Sequence, residues 1–230
     1  MTELLLSAAA GTPHTGWLTG QLLQFARGGA EWVLWLLLLL SVGSFFVAFE
    51  RFLFMRAHAA DSASLRALIM ERLNRGDVDG LLSALDGKTS MQARVLANGV
   101  RDAERGPEAV AELCRGAIGT ERIRYERGLS YLATVGSNAP FIGLFGTVMG
   151  VIMAFDQLRG LGTAAGAAGP SELVMGAIAE ALIATGVGLL VAIPSILFFN
   201  VLKGRIKREA VSTQLLVDTM VAYLRSQKPS

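Results

Sequence analysis

A single cysteine, Cys114, is all the thiol this 230-residue chain has, so no disulfide can form within it. That thiol reads as buried or idle. The only two histidines, His14 and His58, are isolated from each other and from any Cys/His spacing that would hold a metal. No Walker-type phosphate loop and no Gly-x-Ser-x-Gly elbow occurs. The chain is therefore expected to carry no metal, no cofactor and no catalytic constellation, and to be no enzyme.

The most informative deficit is of charge. Trp32 to Phe49 contains none over 18 residues, and Gly128 to Phe155 none over 28. Leu173 to Leu202 has one, Glu180, in 30. Crossing the hydrocarbon core takes about 20 apolar residues in a helix. Each stretch is long enough, the first with help from Phe52, Leu53 and Phe54. Helices buried in a soluble core rarely stay uncharged on every face for so long. With 52% hydrophobic residues and a mean hydropathy of +0.48, the pattern predicts an all-α integral membrane protein with three transmembrane helices.

What charge there is lies in blocks. Of the 21 Lys and Arg residues, one (Arg27) precedes the first span and 13 lie from Arg51 to Arg127. One more (Arg159) separates spans two and three, and six follow from Lys203 to Lys228. Basic segments stay in the cytoplasm. The predicted order is a periplasmic segment 1–28, span one at 29–55, a cytoplasmic helical loop at 56–127 and span two at 128–156. A periplasmic loop at 157–171, span three at 172–202 and a cytoplasmic helical tail at 203–230 complete it. The loop alternates acids with arginines, as in Arg101-Asp102-Ala103-Glu104-Arg105, which marks a solvated helical surface rather than a nucleic-acid patch.

The N-terminal run Leu4 to Ala10 lacks a basic flank, so residues 1–28 read as retained, with Trp17 to Phe25 resting on the membrane surface. Glu50, Arg51 and Arg56 read as interfacial anchors of span one. In the loop, Leu65, Leu68, Ile69 and Leu73 form one apolar helical face and Leu81, Leu82 and Leu85 another. Gly76-Asp77 and Asp86-Gly87 separate them. Pro107 suits a first helical position, and Gly128 is the weak point before span two. Ser171 is an expected N-cap for span three. Past the membrane, Ile206, Ala210, Thr213, Val217, Met220 and Leu224 recur at heptad-like spacing, predicting a helix that continues and packs on another.

Spans two and three differ from the leucine-rich first. Gly136, Ala139, Gly143, Thr147, Gly150 and Ala154 recur on one side of span two; Ala177, Ala181, Ala184, Gly188 and Ala192 do so in span three. Small faces let helix backbones approach closely in a membrane. They predict tight packing at Gly143, Gly146, Gly150, Ala184 and Gly188, in an oligomer. Pro140 and Pro194 are expected helix-bending points. Glu180 is the sharpest feature, since a carboxylate at mid-span costs about 2.5–3.5 kcal/mol on insertion scales. It reads either as a proton-exchanging group or as a protonated strut between helices. Thr147 and Thr185 read alone as structural hydroxyls bonded to their own helix. Glu180 and Thr185 lie about 140° apart on a straight helix, so they share no narrow face.

Two segments carry a resemblance. Asn138-Ala-Pro-Phe-Ile-Gly-Leu-Phe-Gly-Thr-Val-Met-Gly150 and Ala179-Glu-Ala-Leu-Ile-Ala-Thr-Gly-Val-Gly-Leu-Leu-Val-Ala-Ile-Pro194 resemble the signature spans of the MotA/TolQ/ExbB proton-channel family, and more closely its TolQ/ExbB branch. The resemblance implies a pentameric bundle, helices two and three extended into the cytoplasm, around two copies of a single-span TolR/ExbD-like partner with a membrane Asp. It implies that Thr147 and Thr185 face that Asp on a proton path, that Glu180 lines the lumen, and that Pro140 and Pro194 are the helix-bending prolines. The implied work is TonB- or Tol-type envelope energisation or gliding motility, through a TonB/TolA-like or gliding-machinery protein. A membrane scaffold without conduction is the alternative. A solute transporter would show inverted repeats and more spans.

Overall fold

The computed structural model describes residues 31–58, 62–161 and 170–227. All of their regular structure is helical: α1 (Glu31–Ala57), α2 (Ser62–Asn74), α3 (Val78–Leu85), α4 (Met91–Arg101), a 3-10 turn (Ala103–Arg105), α5 (Pro107–Glu126), α6 (Leu129–Leu161) and α7 (Pro170–Gln227). By length and composition α1, α6 and α7 can each cross a membrane. The surface helix expected at Trp17 to Phe25 and the middle of the loop expected at 157–171 fall outside the described residues.

The chain divides into two compact units. The first contains the described parts of Met1–Ser41 and Gly136–Ile193, that is, the first part of α1, most of α6 and the first part of α7. Val33 and Leu37 of α1 are fully buried there, and Trp32 meets Phe145 of α6 edge-on at 6.0 Å. Pro140 lies inside α6, which remains helical through it. The helix α7 begins at Pro170, so Ser171 lies within the helix and not before it.

The second unit is Val42–Val135 with Pro194–Ser230, and Pro194 opens its share of α7. Its core is one continuous apolar cluster. The faces expected in the loop are the buried ones: Leu65, Ile69 and Leu73 of α2, and Leu81 and Leu85 of α3. The helix breaks fall at Gly76 and Gly87. Asp77 caps α3, accepting from the Gly80 N–H at 2.8 Å and from Arg72 at 2.5 Å; Arg72 first, then Gly80, hold its carboxyl below the usual range. The heptad-like stripe of α7 is also buried, with Ile206, Thr213, Val217 and Met220 nearly inaccessible. It packs within this unit: Met220 reaches the backbone of Gly99 on α4, and the Tyr223 hydroxyl donates to the Leu73 carbonyl.

The apolar periodicity of the loop marks no helix over residues 88–105, yet α4 is the most deeply buried helix of this unit. From Met91 to Val100 only Arg94 and Asn98 are exposed. Ser90 caps it, its hydroxyl accepting from the Ala93 N–H at 3.4 Å. Cys114 lies against α4, fully buried, and burial pushes its thiol up to about 11. Two charges are inside, one from the loop read as a solvated surface and one read as an interfacial anchor. Glu121 is 8% exposed and is held by Arg94 at 3.1 Å and Arg124 at 3.4 Å. Arg51 is equally buried: it binds Glu50 through two nitrogens, reaches the Arg124 carbonyl and lies over the Phe54 ring. The Gly128 φ of +80° is a left-handed conformation that a Cβ disfavours, and there α5 gives way to α6.

Candidate functional site

The site lies in the first unit, where α6 and α7 run antiparallel. Their contact is built on glycine. A Cβ on Gly143 would stand 2.8 Å from the Ala184 carbonyl oxygen and 3.0 Å from the Thr185 Cα. A Cβ on Gly188 would meet the Ala139 carbonyl at 2.7 Å and the Gly143 Cα at 3.0 Å. Backbone rests on backbone at both positions, with no flexible side chain to give way. At Gly150 the added atom would lie 2.6 Å from the Ala181 Cβ, and at Gly146 2.7 Å from the Ala184 Cβ. Ala139, Ala154, Ala181 and Ala184 are all buried. Spans pack by such contact because lipid tails give apolar side chains no reason to leave them.

One detail differs from the expected face of span two. Gly146 packs against Ala184 as expected, but Thr147, placed on the same face, is only half-buried. The Thr147 hydroxyl turns back to its own helix and donates to the Leu144 carbonyl at 2.6 Å. Thr185 behaves otherwise. Its hydroxyl crosses between helices and donates to the Gly143 carbonyl at 3.1 Å. The absence of a side chain at Gly143 is what brings that carbonyl within reach.

Glu180 lies next to Ala181 of the contact. It is partly buried, and its Oε1 is inaccessible with no hydrogen-bond partner in the protomer. A buried acceptor without a donor costs about 1–3 kcal/mol, and more if charged. Among the described residues no hydrogen bond or ion pair joins Glu180 to Thr147 or Thr185. The helix pair holds the three at fixed positions without making them one network. The described residues contain no cluster of His, Cys, Asp or Glu able to hold a metal.

Sequence reasoning missed Gln157 in the same unit, whose Oε1 is likewise buried and unpartnered. Its only signal is an amide one residue after Asp156, where span two regains polarity.

These features define a polytopic α-helical membrane protein whose spans are locked at glycines around a membrane-embedded carboxylate. A family model described as the MotA/TolQ/ExbB proton channel family matches residues 87–214, a stretch that includes Thr147, Glu180 and Thr185. Three relatives illustrate the similarity. The Tol-Pal system protein TolQ of Pseudomonas aeruginosa is 47% identical over 93 residues, 40% of this chain and 38% of that protein. The biopolymer transport protein ExbB of Xanthomonas campestris is 41% identical over 93 residues, 40% and 35% respectively. TolQ of Haemophilus influenzae is 32% identical over 160 residues, 65% of this chain and 68% of that protein. The chain spans well under half the length of the first two and about two thirds of the third. It belongs to the MotA/TolQ/ExbB family, in its TolQ/ExbB branch.

Proposed function

We propose that the chain is the proton-channel, or stator, subunit of a bacterial inner-membrane motor that couples proton-motive force to mechanical work on the cell envelope. The observation that carries this reading is the unpartnered Oε1 of Glu180. A carboxylate placed in a span without a donor in its own chain calls for a proton or for a donor from outside the protomer. Several copies, five by family resemblance, surround two copies of a single-span TolR/ExbD-like protein. The partner's membrane Asp faces Thr147 and Thr185, and Glu180 lines the lumen. Pro140 and Pro194 bend the spans that form the wall.

The orientation follows from basic charge. Residues 1–28 and 157–171 lie in the periplasm, and 56–127 and 203–230 in the cytoplasm, with 19 of the 21 Lys and Arg on that side. The load is a periplasm-spanning TonB/TolA-like protein or a gliding machinery. Each charge crossing 100 mV releases about 2.3 kcal/mol, so several protons per step suffice without a nucleotide.

The test is proton flux into liposomes holding the co-expressed complex, driven by a membrane potential, with native Thr185 and with Thr185→Val. Flux that falls while the assembly stays intact supports a path past span three. Equal flux removes Thr185 from it. A complex that stays intact, conducts nothing under load and works unchanged with Glu180→Gln is the structural scaffold.

A further inference from the structure

Within the second unit, α1 and α7 leave a cleft of about 480 Å³ between them. Its walls are Phe45, Phe49 and Phe52 on α1 and Leu197, Phe198 and Val201 on α7, completed by alanine and leucine. No polar side chain enters. Phe45 meets Phe198 edge-on at 6.0 Å, and further along the same two helices Met55 shares a narrow space with Arg205 and Ile206. The helices therefore run parallel here, and both lead from the apolar spans toward the basic flank.

The cleft's two ends differ in charge. Toward the start of α1 the helix is uncharged from Trp32 to Phe49. One turn beyond Phe52, on the same helical stripe, comes Arg56, in the last turn of α1. One turn beyond Val201 comes Arg205, and Lys203 places its ammonium 5.1 Å from the Phe199 ring centre. Arg56 and Lys203 are exposed. Among the described residues none of Arg56, Lys203 and Arg205 is in an ion pair, although most arginines of this unit are. Arg56 and Lys203 thus lie just past one end of an apolar slot, neither in an ion pair among the described residues, and Arg205 follows in the narrow space it shares with Met55 and Glu209.

We propose that this cleft is a binding site for an anionic phospholipid, with an acyl chain lying against Phe45, Phe49, Phe52 and Val201 and its phosphate held by Arg56, Lys203 and Arg205. The slot's size is that of a small-molecule pocket, and lipid tails are the solvent of the segment it opens on. Basic groups between spans on the positively charged flank attract anionic headgroups, which fixes both the leaflet and the sign of the lipid. Apolar side chains of a second copy could fill the slot but would make no use of the cations at its end.

The experiment is native mass spectrometry of the full-length protein in detergent, titrated with dioleoylphosphatidylglycerol or dioleoylphosphatidylcholine. The expected result is glycerol lipid retained about fivefold or more tightly than choline lipid. Arg56→Gln with Lys203→Gln should bring the two level, and Leu197→Trp, which fills the slot, should lower retention of both. Helicity and melting temperature check that each variant folds, and Val201→Phe replaces Leu197→Trp if that one does not. Equal retention of both lipids by the native chain, a preference that survives the double substitution, or retention unchanged by either slot-filling variant each overturns the assignment. So does the absence of any retained lipid, which would give the slot to a second copy.

Discussion

The hydroxyl of Thr185 on α7 donates to the carbonyl oxygen of Gly143 on α6 at 3.1 Å. This is a contact between helices 42 positions apart in sequence, made by a residue type that in membranes commonly bonds back to its own helix. Hydrogen bonds between spans average about 0.6 kcal/mol, so this one contributes little to stability. Replacing Thr185 by Val should lower the melting temperature of the purified protein by no more than a degree or two. Thr185→Ser should retain both the bond and proton flux. A large loss of stability in Thr185→Val would make the residue a structural tie and remove it from the proposed path.

Gly188 should be far less tolerant. Its missing Cβ would lie 2.7 Å from a carbonyl oxygen, a distance that only backbone movement relieves. Overpacking of this kind costs about 1–3 kcal/mol. Gly188→Val is expected to loosen the α6/α7 pair and to release the protein as smaller species on size-exclusion chromatography. Gly186, with nothing within 4 Å of an added Cβ, is the matched control and should accept alanine.

Cys114 offers a readout of the second unit. Burial alone raises its thiol from an ordinary 9.0 to about 11, so the folded chain holds that proton more firmly than the unfolded one. The associated stability is whole below about pH 9 and is lost as pH rises through about 11. Native protein at pH 8 should react with iodoacetamide at a small fraction of the rate of denatured protein. Cys114→Ala should shift the onset of alkaline unfolding upward, toward the range where Tyr125, pushed up to about 12 mainly by burial, begins to titrate. Equal labelling of native and denatured chains would contradict the buried placement.

Ser90→Ala removes the cap of α4 and leaves the Ala93 N–H without its side-chain acceptor. Loss of such a cap costs about 1 kcal/mol. The change should appear in thermal melting and not in proton flux, because Ser90 lies in the second unit.

The membrane half of this molecule was readable because membrane packing is governed by side-chain size, which the sequence states directly. Gly143, Gly150, Ala184 and Gly188 declare a close contact wherever they recur at helical spacing. The partner of Thr185 was not readable, since its bond depends on how near the Gly143 carbonyl comes. The helix α4 was missed although it carries a signal: Ser90 before it and Arg94, Asn98 and Arg101 at spacings of four and three mark its polar face. The mixed charges around it have the pattern of a solvated surface, which hides the buried face. Which of those charges turn inward, as Glu121 and Arg51 do, depends on partners up to 73 positions away.

The backbone fit at Gly143 and Gly188 also has a genetic consequence. Every missense single-base change in a glycine codon inserts a larger residue, and even alanine brings the Cβ that these two positions exclude. In a library of random point mutants selected for envelope function, Gly143 and Gly188 should therefore be nearly invariant, while Gly176 and Gly186, with open space around them, drift freely.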